Sequence, residues 1–278
     1  MQPLARPQPP RALRLLPPFP AIAQRVLGLV GRQDTSIREV ADLVRMDPSF
    51  SAELLHFANS PLFGARHEIK GLVPAVGMVG LDRIKNIATV AAMNRMFRSS
   101  ARAGALRKIW VHCLVAAVIA EEAARLNQMP SGVAYTVGLL HDLGILALMS
   151  AHPDQYARMI EASGESGFDL IACERDFFEI DHCDAGAYLA GEWEFPDELA
   201  TAIAGHHDAP VADQAGLDNL ARISWRLADA LGFAAFPIAE KWTYEDLIAL
   251  LPNTASWLGE SAEAARHELG ARVSNLPV

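Results

Sequence analysis

The sequence predicts an all-α fold, and three observations carry that expectation. Apolar residues recur at helical spacing, helix-capping signals follow one another at short intervals, and almost nothing alternates with period two over a strand's length. The first ~15 residues are rich in Pro and Arg, and residues 1–13 are expected to form a loose arm. Ser36 and Glu39 fit a capping box, with Ile37, Val40, Ala41 and Val44 at helical spacing behind it. Asp47-Pro48 supplies an N-cap and an N1 proline for a helix whose apolar face includes Leu54, Leu55 and Ala58, stopped by Asn59-Ser60-Pro61. Gly80 ends a short helix, and Asp82 can cap the segment "RIKNIATVAAMNRMF". Alanine-rich helices follow over Leu106–Leu126 and Tyr135–Met149, then another over Pro153–Ala162. Asp181 and Pro196 each mark a helix start, and Leu217–Leu231 is strongly helical. Beyond Gly232 further helices are expected, with Trp242 and Tyr244-Glu245-Asp246 at the start of one packed on the bundle. A seam near residue 100 separates an N-terminal helical subdomain, 14–100, from a helical bundle, 101–278.

Of the 278 residues, 51% are apolar, enough for one large core or two smaller ones. Pro17 and Pro18 interrupt the only apolar stretch near the N-terminus, so Met1–Pro20 does not read as a signal peptide. No unbroken apolar stretch of about 18 residues offers a membrane span. Cys113, Cys173 and Cys183 are odd in number and form no CxxC, which argues against a disulfide framework or a zinc ribbon and for a reducing cytoplasm. The net charge of −9 is divided. Residues 1–110 hold 16 Lys/Arg against 7 Asp/Glu, whereas residues 111–278 hold 8 against 26. A basic half can attract acidic partners, and the two halves can equally attract each other.

The stretch "GLLHDLGILAL" sets His141-Asp142 inside an apolar run. A buried charge without a partner costs several kcal/mol, so the pair must have partners. Four further sites offer them: His112, mid-helix among apolar residues; His182 behind the Asp181 N-cap; His206-His207 closing the helix after that; and Asp229, late in the next. Each is separated from its neighbour by about one helical hairpin. Helices side by side in a bundle bring such positions to one level. Imidazole and carboxylate without thiolate suit Fe, Mn, Co or Zn rather than a structural Cys-type zinc site, and Asp142 could bridge two metals. A metal lowers the pKa of its water enough to supply hydroxide for phosphoester hydrolysis. Each residue also has a plain structural explanation. The macrodipole alone favours His206-His207 at a helix C-terminus, and His182 after its N-cap can be solvated. Asp184, three residues after an N-cap, is helix chemistry and is left out of the site.

The series His112, His141-Asp142, His182, His206-His207 and Asp229 resembles the HD superfamily of metal-dependent phosphohydrolases. The surrounding segments resemble the HDOD (HD-related output domain) family of bacterial signalling proteins more closely. They are "LPPFPAIAQRVLGLV", "REVADLVRMDPSFSAELLHFANSPLFG", "AVGMVGLDRIKNIA", "IWVHCLVAAVIA", "AYTVGLLHDLGILAL", "DHCDAGAYLAGEWEFPDELATAIAGHHD" and "ADALG", covering roughly Arg14 to Gly232 in the expected order. The resemblance implies an N-terminal helical subdomain plus an HD-like bundle. It also implies a signalling role, often alongside receiver or second-messenger domains, and in many members a loss of catalysis. No such domain accompanies this sequence, so the input is expected from a separate regulatory partner. Two departures bear on activity. Hydrolytic HD-GYP members carry a lysine in an HD-x-G-K pattern where Ile145 stands here, which removes a cation that would meet substrate phosphate. After His206-His207 there is no Gly-Tyr-Pro motif.

Three functions compete. The first, favoured by these departures, is a cytoplasmic signalling module that acts through a protein partner or a ligand such as a nucleotide, with a pocket for one or two divalent metals (Fe, Mn or Zn) or for none. The second is a metal-dependent phosphohydrolase acting on a nucleotide or other phosphoester. There His112, His141, Asp142 and Asp229 would hold one metal and His182, His206 and His207 another, with Asp142 bridging and a metal-bound hydroxide attacking phosphorus. The third is a DNA-binding regulator built on residues 35–59. It ranks last, because the helix after Pro48 carries Glu53 and no Lys or Arg.

Overall fold

In the computed structural model every regular element among the described residues is helical. These residues are 9–16, 20–30, 34–59, 67–81, 83–84, 87–89, 92, 103–163, 168–193, 195–214, 216–236 and 242–274. The expected Asp82 cap, the Ser60-Pro61 stop and the seam near residue 100 fall outside them.

The first four helices are α1 (Ala21–Val30), α2 (Ile37–Val44), α3 (Pro48–Ala58) and α4 (Leu72–Val79). Local chemistry sets their ends. Ser36 Oγ accepts from the Glu39 amide while Glu39 reaches back to the Ser36 amide, closing the capping box of α2. Asp47 accepts from the Phe50 amide at 3.1 Å ahead of Pro48. Gly80 ends α4 at φ +84°, a conformation that glycine adopts without steric cost. Val26, Val40, Val44, Leu54, Val76 and Ile84 bury one apolar cluster between these helices.

A second, larger cluster belongs to the bundle. Its helices are α5 (Ala103–Leu126), α6 (Ser131–Leu140), α7 (Leu143–Ala151), α8 (Pro153–Ala162), α9 (Leu170–Phe178), α10 (His182–Glu192), α11 (Asp197–Ala204), α12 (Leu217–Ala230), α13 (Tyr244–Ile248) and α14 (Ala262–Ser274). Helix α5 runs against α6 and α12, while α10 packs on α7 and α11. Close approach is possible because Gly138 has no side chain: a Cβ there would stand 2.6 Å from the Ala116 carbonyl oxygen and the Ala117 Cα. Helix α13 starts with a second capping box, Thr243 with Asp246, and the buried Tyr244 hydroxyl donates to the Leu258 carbonyl.

Three expectations need correction. The arm is not loose over its whole length. Residues Arg11–Leu13 form a 3-10 turn with Ala12 and Leu13 buried in the bundle cluster, and His152 Nε2 donates to the Ala12 carbonyl at 2.9 Å. The single helix expected over Tyr135–Met149 is two helices, with His141-Asp142 at the joint. Apolar composition runs through the joint, so periodicity could not show it. Finally, Ser131–Ala151 is long and apolar enough by composition to cross a membrane, yet it is broken at this joint and mostly buried inside the bundle. Leu139, Leu140, Leu143, Leu146 and Leu148 are essentially inaccessible, each contributing roughly 1.5–3 kcal/mol by burial. That apolar shell holds the polar pair in place.

Candidate metal centre

Asp142 occupies the position that caps α7 but makes no side-chain cap hydrogen bond. Asp169 and Asp181, at the equivalent positions of α9 and α10, do accept from their helix amides. Forgoing a cap costs about 1 kcal/mol. The Asp142 carboxylate instead faces inward, 5% exposed, toward imidazoles from three other places in the chain. Its Oδ2 lies 3.3 Å from His141 Nε2 and 3.8 Å from His112 Nε2; its Oδ1 lies 3.4 Å from His206 Nε2 and 4.0 Å from His182 Nε2.

Every one of these imidazoles is held by its other nitrogen. His141 Nδ1 donates to the Gly138 carbonyl (2.7 Å), His206 Nδ1 to Ile203 (2.6 Å) and His112 Nδ1 to Phe233 (3.1 Å). His182 Nδ1 donates to Glu174 Oε2 at 2.6 Å. Because carbonyls accept only, Nδ1 must carry the proton, and Nε2 is left to present a lone pair to the centre. His112 and His141 meet Nε2 to Nε2 at 3.1 Å, and His182 and His207 at 3.0 Å. Facing lone pairs at such distances need a proton or a cation between them. Two buried polar atoms here, His206 Nε2 and Asp229 Oδ1, have no hydrogen-bond partner. The donor set therefore fits a divalent metal, in two adjoining groups. One is His112, His141 and Asp142; the other is His182, Cys183, His206 and His207. Asp142 stands between them.

Asp229 is less engaged than the sequence suggested. Its Oδ1 lies 3.2 Å from His112 Nδ1, but that nitrogen's proton is directed at Phe233. Burial, then the facing Asp142 charge, raises its carboxyl to about 8. The expectation of a solvated His182 is overturned, because its exposure is zero. Helix α10 begins directly over α7, where a Cβ on Gly144 would stand 1.9 Å from the His182 carbonyl oxygen. Similarly, His206-His207 do not close α11. The helix ends at Ala204, and the pair occupies the turn beyond Gly205. That turn is pinned from α12. Trp225 Nε1 and Arg226 Nη1 donate to the His206 carbonyl, and Arg226 Nη2 to that of His207. Asp184 is outside the cluster, with its amide on Asp181. Ile145 is buried in the bundle core.

The charges are strongly coupled. Burial opposes ionisation of Asp142, but His141, His206 and His112 hold its carboxyl well below the usual range. Against burial, Glu174 holds His182 well above its ordinary value, and Asp142 with Cys183 raises His206 to about 9. Burial and the neighbouring His141 lower His112 to about 4, and burial with His206 lowers His207 further. In the absence of a metal, protons on His182 and His206 balance the carboxylates.

Sequence reasoning missed Glu174, Tyr156, Trp225, Arg226 and Cys183. Glu174 is completely buried and takes three donors: the Tyr156 hydroxyl (2.5 Å), the His182 amide (2.9 Å) and His182 Nδ1. In the sequence it is one of several acidic residues ahead of His182, with Asp176, Glu179 and Asp181 nearer, so nothing local singles it out.

Comparison with known proteins agrees with this architecture. The sequence pattern of the HDOD domain matches residues 16–209. The structure of an HDOD domain protein of unknown function from Geobacter sulfurreducens is similar at 26% identity and a TM-score of 0.75, covering 95% of this chain and 94% of that one. A candidate metal-dependent phosphohydrolase from Shewanella amazonensis SB2B shares the fold at 24% identity and a TM-score of 0.62, covering 93% of this chain and 92% of that one. An uncharacterised protein of Treponema pallidum (strain Nichols) is 23% identical over 201 residues. That match takes in 72% of this chain but only 39% of the relative's length. With the family pattern spanning most of its length, this chain belongs to the HDOD domain family.

Proposed function

We propose that this HDOD protein is a cytoplasmic signalling module that holds one or two divalent metals in the polar centre of its bundle and acts through a protein or ligand partner. One observation carries the metal half of this reading. Four imidazoles are anchored through Nδ1 and turn Nε2 toward a carboxylate that forgoes its own helix cap. A divalent metal there would supply the positive charge that these groups otherwise obtain from protons. His112, His141 and Asp142 would hold it on one side, and His182, His206 and His207 on the other.

Burial favours interaction over turnover. His112, His141, Asp142, His182 and His206 are all at most 5% exposed, and only His207 and Asp229 of the cluster reach partial exposure. Ile145 lies in the core, so no cation at that position meets a phosphate. Phosphohydrolase action on a nucleotide or other phosphoester stays as the second reading, because Asp142 stands between two ligand groups as a bridging carboxylate would. DNA reading by α3 has less support. Phe50, Leu54 and Ala58 face the core, and the Asn59 amide is taken by the Leu55 and Ile69 backbone.

Metal-loaded protein incubated with a panel of nucleotides and phosphoesters separates the two readings. No phosphate release, together with a melting temperature that rises with metal, is the expected result. Release that disappears in Asp142→Ala would instead establish the hydrolase.

A further inference from the structure

The second ligand group contains a thiol. Cys183 follows His182 in the first turn of α10, is buried, and its Sγ belongs to a set with His182, His206 and His207 in which all four ligand atoms lie within 4.8 Å of one another. A second observation points into the same space: His206 Nε2 is fully buried and has no hydrogen-bond partner. We propose that Cys183 is a metal ligand, and that His182, Cys183, His206 and His207 together form a tetrahedral three-imidazole, one-thiolate site for zinc or a similar borderline-soft cation. The proposal rests on the metal reading above and gives one of the two positions its chemistry.

The geometry is suitable. Zinc bonds imidazole nitrogen at about 2.0–2.1 Å and thiolate sulfur at about 2.3 Å, so tetrahedral ligands lie roughly 3.3–3.6 Å apart. The His182 and His207 Nε2 atoms are already 3.0 Å apart. Two of the ligands have a fixed aim. Glu174 holds the His182 ring through Nδ1, and the Ile203 carbonyl holds that of His206. The turn carrying His206 and His207 is fastened by Arg226 and Trp225. Binding requires Cys183 to lose its thiol proton to solvent, and the Sγ–metal bond replaces the S–H bond.

Four protein ligands complete a tetrahedron and leave no open position, which is the arrangement of a structural rather than a catalytic zinc site. Asp142 then serves the other group, with His112 and His141. That group is a two-imidazole, one-carboxylate set of harder character with room for further ligands. The two positions should therefore differ in the metals they prefer.

The test is cobalt(II) substitution in the full chain, prepared without an affinity tag. Thiolate ligation adds a sulfur-to-cobalt charge-transfer band in the near ultraviolet to the visible ligand-field bands of a tetrahedral site. We expect the near-ultraviolet band in the wild type and in Cys173→Ser. Its loss is expected in Cys183→Ser, with visible bands remaining. Should Cys183→Ser fail to fold, zinc-edge X-ray absorption of the wild type decides, with a sulfur neighbour at about 2.3 Å expected. Visible bands without the charge-transfer band, and a zinc shell of nitrogen and oxygen alone, overturn the thiolate while the metal reading stands. No cobalt or zinc uptake overturns both.

Discussion

Replacing Gly144 by Ala tests how the centre is assembled. Helix α7 crosses the start of α10 at this residue, and a Cβ there would stand 1.9 Å from the His182 carbonyl oxygen and 2.8 Å from the His182 Cα. The oxygen contact is about 1.5 Å short of ordinary van der Waals separation. The obstacle is backbone, so no side-chain rotation relieves it. Either α10 moves away from α7 by more than an ångström or the α7 backbone shifts with Asp142 at its head. Overpacking in a core costs about 1–3 kcal/mol, and a backbone clash belongs at the upper end. In a chain of this size about 3 kcal/mol lowers the melting temperature by roughly 6–12 °C. The consequence for the site is larger than that for the fold, because ligand distances tolerate only about 0.2 Å. Calorimetry and metal analysis of Gly144→Ala should show a clearly destabilised helical protein that has lost the metal on the His182 side. A variant that melts within about 2 °C of the wild type and keeps its metal would refute the close approach and the positioning argument built on it.

Other perturbations separate the contributions at the centre. In Glu174→Gln the amide can still bond Tyr156 and His182, so the fold should persist while metal affinity falls about 10–100-fold; equilibrium dialysis measures it. The pH dependence has a definite sign. At pH 7 the metal-free protein carries protons on His182, held well above 6.5, and on His206 at about 9, whereas His112 at about 4 is already neutral. Metal uptake at pH 7 should therefore release protons, and affinity should rise with pH until about 9; titration calorimetry in buffers of different ionisation enthalpy reads the release. Asp229→Asn should stabilise the metal-free protein at neutral pH. The native carboxyl is raised to about 8, so the folded state binds a proton that the unfolded chain loses above 3.8, and stability falls with pH across that window. Urea denaturation at pH 5 and pH 8 should show a smaller decline in the variant than in the wild type.

Much of the scaffold could be read from short-range chemistry. The Ser36–Glu39 box, the Asp47-Pro48 start, the Gly80 stop and the Asp181 cap are all contained within a few residues, and each is where the sequence places it. The Pro153–Ala162 helix matches residue for residue, and Leu217–Ala230 ends one residue early. What escaped depends on packing between distant segments. The joint at His141-Asp142 interrupts a run whose composition does not change, and only the partners across the bundle explain it. His182 is polar and N-terminal in its helix, which locally suggests exposure; the missing side chain of Gly144 on another helix lets α10 approach closely enough to bury it. Cys183 and Glu174 have no spacing signature because helix crossing brings them to the centre. The five histidines and two aspartates chosen from the sequence do reach one neighbourhood, though Asp229 stays at its margin without a hydrogen bond on Oδ1.

The central claim is that His112, His141, Asp142, His182, His206 and His207 hold metal, and metal content per chain tests it most directly. Protein purified anaerobically, without a histidine tag or chelator, should contain one or two equivalents of iron, manganese or zinc by mass spectrometry. Asp142→Ala should remain helical and lose the metal held with His112 and His141. A metal-free wild type that stays folded and takes up none of these ions on addition would contradict the account, and would make the centre a hydrogen-bonded polar core.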